Sequence, residues 1–162
     1  METTHERLIR YLDDVWAVEK ALVDKLRDMA EDVNDDRVRS LFEEHRTVTH
    51  QQEENLEARI RALGEEPSGS KGFFSQMMGK IGEALHGAED NYDKTTQNLM
   101  KGFATENFEI AMYEALDSYA SAIGDSETAQ LARQHKQQEK DAAQSVWSLI
   151  APTAARPAQI AA

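Results

Sequence analysis

Residues 8–36 read LIRYLDDVWAVEKALVDKLRDMAEDVNDD. Leu8, Leu12, Val15/Trp16, Leu22/Val23, Leu26 and Met29/Ala30 recur at steps of three and four. That is the period of one face of an α-helix, and a strand would scatter these residues over both of its faces. The stripe predicts a helix over residues 4–33, with Thr3 and Glu6 spaced as a capping box at its start. Asn34-Asp35-Asp36 then ends it, because short polar side chains bond the free N–H groups of a new helix. One residue breaks the pattern. Glu19 sits on the stripe between Trp16 and Leu22, where a charge is costly unless it is paired, protonated or bound to a cation.

The same reading extends outward. Residues 35–63 carry the stripe Val38, Leu41/Phe42, His45, Val48/Thr49, Gln52, Leu56, Ile60 and Leu63, and Gly64 is placed to end that helix. Residues 65–70 form a loop around Pro67. In 71–88 the apolar Phe73, Phe74, Met77, Met78, Ile81 and Leu85 are interrupted by Gly72, Gly79, Gly82 and Gly87. This predicts a short irregular helix packed across one end of the domain, either a plain connecting crossover or a functional lid rich in Met and Phe. Two more helices follow, over 90–123 up to Gly124 and from Asp125/Ser126 to about 150, before Pro152. The Ala- and Pro-rich residues 151–162 are expected to be a disordered tail. Residues 1–150 thus read as one all-α domain. Two antiparallel helical hairpins are joined by a long crossover containing a short helix, which is the ferritin-like arrangement of a four-helix bundle.

Composition removes several classes of function. With no cysteine among 162 residues there is no disulfide, thiolate metal site or thiol nucleophile. A net charge of −12 repels phosphate backbones and anionic lipid surfaces, so neither nucleic acid nor membrane is an expected partner. No apolar run approaches the roughly 18 residues of a spanning helix. The opening METTHERLIR lacks the apolar core of a signal peptide, and a cytoplasmic protein is expected. No glycine-rich phosphate loop or nucleophile turn appears, so no catalytic or organic-cofactor residue is assigned.

Ionisable residues recur on the other apolar stripes. Glu106 and Glu109 lie between Phe103 and Tyr113, and His135 and Glu139 lie between Leu131 and Val146. His45 takes a stripe position between Phe42 and Thr49. Bundles build metal sites from inward carboxylates and histidines of this kind. Clustered carboxylates with few histidines suit Fe or Mn. The candidate ligands are therefore Glu19, His45, Glu106, Glu109, His135 and Glu139. Against this stands a buried polar network, in which Glu139 pairs with His135, Glu109 accepts from Tyr113, and His45 is a satisfied core histidine. Counting from the turns, Glu19 falls level with Thr49 or His50, and Glu109 with Glu139. At about 1.5 Å per residue, His45 falls about 7 Å off that layer, a gap its ring is long enough to reach back across.

The chain resembles the YciE/YciF-type ferritin-like proteins, a bacterial domain family. The resemblance rests on Val18-Glu19-Lys20, Phe42-Glu43-Glu44-His45 with Thr49, Leu63-Gly64, Pro67-Ser68, Glu139-Lys140, and above all Glu106-Asn107-Phe108-Glu109-Ile110-Ala111-Met112-Tyr113. It implies a ferritin-like bundle, a link to stress responses, and a homodimer. Ferritin-like relatives use Glu, Glu-x-x-His, Glu and Glu-x-x-His on their four helices. This sequence has Val48, Thr49 and Gln52 where the second motif would fall and Ala142 where the last histidine would fall. The reading is a stress-related metal-binding protein holding one or two Fe or Mn ions, with oxidase-like activity left open by those gaps. The alternative is a dimeric bundle that has lost its metal and acts through protein–protein contacts.

Overall fold

The computed structural model describes residues 1–68 and 72–161, and the side chains of Phe73, Ser75, Met77 and Ala161 lie outside the described residues. Five helices follow in order: α1 (Thr4–Asp32), α2 (Asp36–Ala62), α3 (Gly72–Glu83), α4 (Asn91–Ile123) and α5 (Ser126–Ala161). No strand occurs among the described residues. The fold is the all-α, ferritin-like bundle read from the sequence.

Side chains cap the starts of α1, α2 and α4. Thr3 and Glu6 form the capping box, with Glu6 N donating to Thr3 Oγ1 at 3.1 Å and Thr3 N to Glu6 Oε2 at 2.7 Å. The Asp35 side chain accepts from the backbone N–H groups of Arg37 and Val38. Asp90 does the same for Tyr92 and Asp93. At the end of α4, Gly124 takes φ 81°, a left-handed conformation that glycine enters without a Cβ clash.

Contacts at the two ends fix the topology. Late in α2, Arg59 donates to Asp125 Oδ1 at 2.7 Å and Thr128 Oγ1 at 2.8 Å, so this end meets the α4–α5 turn. At the other end Asn34 and Asp35 share a cleft with Asn91, Tyr92, Thr153 and Arg156. Helices α1 and α5 therefore run one way and α2 and α4 the other. The crossover between α2 and α4 travels the length of the bundle. Asp13, a buried acid, anchors its start by accepting from Ser68 N at 3.0 Å and Ser68 Oγ at 2.7 Å. The crossover glycine Gly69 and its neighbours Ser70 and Lys71 lie outside the described residues.

The expected disordered tail is corrected. Helix α5 continues through Pro152 and Pro157 to Ala161. A proline removes one helical hydrogen bond and crowds the preceding turn, which is why the sequence predicts a stop. Tertiary contact overrides that cost. Thr153 is buried, and Arg156 lies 3.3 Å from Asp35 across the end of the bundle.

The apolar interior falls into two clusters. One gathers Leu8, Leu12, Val15, Trp16, Leu56, Ile60 and Leu116. The other gathers Leu22, Leu26, Met29, Val38, Phe42, Phe74, Leu99 and Val146. The polar layer of the bundle lies between them, dry on both sides.

Candidate metal centre

Glu19, Thr49, Gln52, Glu106, Glu109, His135 and Glu139 are at most 1% exposed, and His45 is 7% exposed. Helical spacing places them. Glu106 and Glu109, three apart on α4, share one face, and His135 and Glu139, four apart on α5, share another. One ligand-type atom from each of His45, Glu106, Glu109 and Glu139 lies within 4.8 Å of the other three. His45 Nε2 is 2.9 Å from Glu106 Oε2 and 3.6 Å from Glu139 Oε2. Neither approach is aligned as a hydrogen bond, and these three atoms have no other donor or acceptor. Both Glu109 oxygens are likewise buried without a partner.

Glu19 stands at the edge of this group. Tyr113 Oη donates to Glu19 Oε1, while Glu19 Oε2 finds no donor. His135 is placed apart from the four. Its Nδ1 is 3.1 Å from Tyr113 Oη and its Nε2 is 3.2 Å from Asn55 Nδ2. On α5 it lies one turn N-terminal to Glu139, and helical side chains lean towards the N-terminus, so it leans away from the cluster. The same rule brings His45 in. Helices α2 and α4 run parallel, so His45 and Glu106 lean towards the same end and meet there.

Electrostatics in this layer are severe. Burial pushes the Glu19 carboxyl up to about 8, although Tyr113 and His45 favour its anion. Burial, followed by the charge of Glu19, pushes Glu139 up to about 11. Glu109 is held well above the usual range by burial and by the Glu19, Glu139 and Glu106 charges. Burial opposes a charge on His45, but the adjoining Glu106 carboxylate outweighs it and raises the imidazole. Burial alone pulls His135 down to about 4, so that ring is neutral.

Two lining residues were not among the predicted ligands. Gln52 Nε2 donates to Glu139 Oε1 and, at 3.2 Å, to Gln138 Oε1, leaving its own Oε1 without a partner. Thr49 Oγ1 is buried and unpaired. The signals in the sequence were their place on the α2 stripe and their position where the second motif of ferritin-like relatives would fall. The donor set fits a hard or borderline cation. Three carboxyls and one imidazole converge on shared space, and no N–H or hydroxyl donor of the surrounding helices reaches their orphaned atoms.

The profile of the family described as "Domain of unknown function (DUF892)" matches residues 3–159. The chain belongs to this family. In three dimensions this DUF892 chain is similar to the E. coli stress protein YciF, at 21% identity and a TM-score of 0.84, over 94% of this chain and 98% of that one. It is similar to YcfI of Rhodopseudomonas palustris at 22% identity and a TM-score of 0.80, over 89% and 92% of the two chains. A ferritin-like, diiron-carboxylate protein of Bacillus anthracis follows the DUF892 bundle at 17% identity and a TM-score of 0.69, over 93% and 99%. At these identities the likeness establishes the fold. No curated protein matches the chain in sequence.

Proposed function

We propose that the bundle core binds Fe or Mn, as one or two ions, through His45, Glu106, Glu109 and Glu139, with Glu19 as a fourth carboxylate at the rim. One observation carries the reading: both Glu109 oxygens are fully buried, receive no N–H or hydroxyl hydrogen bond, and face the carboxyls of Glu19, Glu139 and Glu106. A low-dielectric layer tolerates that arrangement when a cation lies among the charges. Bound Fe or Mn would supply one-electron chemistry towards oxygen or peroxide. Around it, Tyr113 holds Glu19 by its hydroxyl, Gln52 holds Glu139 by its amide, and the two apolar clusters keep out water.

The role we propose is stress-related, as for the stress protein YciF, and for this chain we further propose the cytoplasm and a homodimer. Trp147 supports the dimer. It is 57% exposed and packs against Phe103 with ring centroids 5.1 Å apart and the ring planes tilted by 44°, an aromatic surface suited to a partner. Gln52 favours a second reading, a bundle without metal that acts through protein contacts. Its amide puts a donor on Glu139 where another ligand would bring a negative or lone-pair atom. Elemental analysis of protein purified without chelator separates the two. The first reading expects Fe or Mn near one or two ions per chain, lost in Glu109→Gln. Metal-free protein that stays metal-free after incubation with both ions supports the second.

A further inference from the structure

Apart from the polar layer, a cleft of about 410 Å³ opens between α1, α3 and α4. That volume lies in the range of small-molecule sites, roughly 300–1,000 Å³. Its apolar lining is Ala21, Phe74 and Met78, and the cations Lys25 and Lys101 enter it from two different helices. Two lysines of this acidic chain are neutralised: Lys94 pairs with Asp32, and Lys136 with Glu114 and Asp117. Lys25 and Lys101 form no ion pair with any described residue, and both are half-buried.

The α3 wall of the cleft is built from Gly79 and Gly82. A glycine inside a helix costs about 0.5–1 kcal/mol relative to alanine. Here a Cβ at either position would meet no protein atom within 4 Å. Protein packing does not require these glycines, and the space they leave belongs to the cleft that Phe74, Met78, Lys25 and Lys101 also line. Beneath the floor, Thr105 Oγ1 donates to Met78 Sδ at 3.2 Å, which places the methionine sulfur at the base of the cleft.

We propose that this cleft binds an amphiphilic organic anion, a medium-chain fatty carboxylate, with its head on Lys25 and Lys101 and its tail across Ala21, Phe74 and Met78. The charge pairing selects the head group. An ammonium pair held at an apolar surface attracts a carboxylate more strongly than the same pair in water. The flexible thioether of Met78 adapts to an alkyl chain. This site is independent of any metal in the core.

Calorimetric titration of decanoate into the full chain, below the micelle concentration of decanoate, tests it. Saturable one-to-one binding is expected, with acetate and decyltrimethylammonium giving none. The Lys25→Gln/Lys101→Gln double variant should bind decanoate about tenfold or more weakly. Gly79→Leu, which fills the cleft without touching the charges, should weaken it comparably. Circular dichroism confirms that each variant keeps its helices. Absence of saturable binding up to about 1 mM decanoate overturns the proposal. Undiminished binding by the double variant, or equal binding of decyltrimethylammonium, overturns it as well.

Discussion

Raising the pH of chelated protein should weaken it, and Glu19 sets the scale. Its carboxyl has an ordinary value of 4.5 and titrates at about 8 in the fold, because burial opposes the anion. Between those values the folded chain keeps a proton that the unfolded chain has released. The stability from this group is fully present below pH 4.5 and is lost as the pH rises to about 8. A difference of one proton changes stability by about 1.4 kcal/mol per pH unit. His135 acts oppositely at lower pH. Burial takes it from 6.5 down to about 4, so its contribution grows as pH rises across that window and is complete above it. The clean interval is therefore pH 6.5 to 8, where Glu19 alone removes about 2 kcal/mol. The raised Glu109, Glu139 and His45 push the same way. Several such groups together would rival the whole stability of a domain, about 5–15 kcal/mol, so the ionised layer needs a cation to stay folded. The assay is urea unfolding in EDTA at pH 6.5, 7.2 and 8, followed by far-ultraviolet circular dichroism (conditions set to span the two titrations). Glu19→Gln should flatten the slope by about one proton. Stability that is level or rising across this interval would refute protonated carboxyls in the metal-free fold.

Two other predictions concern single side chains. Phe42→Ala, at a position 1% exposed in the larger-residue cluster, should cost about 3–5 kcal/mol in urea unfolding. Tyr113→Phe removes the donor to Glu19 and the partner of His135 Nδ1, and should cost about 1–3 kcal/mol near pH 7. A neutral result for either would contradict the packing or the hydrogen bonding assigned to it.

The helices and turns were legible because they are local. The stripe from Leu8 to Ala30, the Asp35 and Asp90 caps and the Gly124 stop are set by neighbours within one turn. The inward carboxylates were legible for the same reason, since a charge on an apolar stripe shows in one dimension. What depended on three dimensions was less so. Level-counting set the His45 backbone off the layer and left its ring to reach back, but only the three-dimensional structure shows where the ring ends, 2.9 Å from Glu106. His135 shares a stripe with Glu139 but turns to Tyr113 and Asn55. The helix beyond Pro152 depends on the buried Thr153 and the Arg156–Asp35 contact, which join residues distant in sequence.

The central claim is that a cation, rather than protons, compensates the buried carboxylates. Anaerobic thermal unfolding at pH 7 with increasing Fe²⁺ or Mn²⁺ tests it most directly. A ligand that binds the fold alone adds about 2.7 kcal/mol at a hundred times its dissociation constant. For a chain of this size that raises Tm by about 5–11 °C. The account predicts this rise for the natural chain and its loss in Glu109→Gln, whose metal-free form stays folded. An unchanged Tm with both ions, or an equal rise in Glu109→Gln, would contradict it.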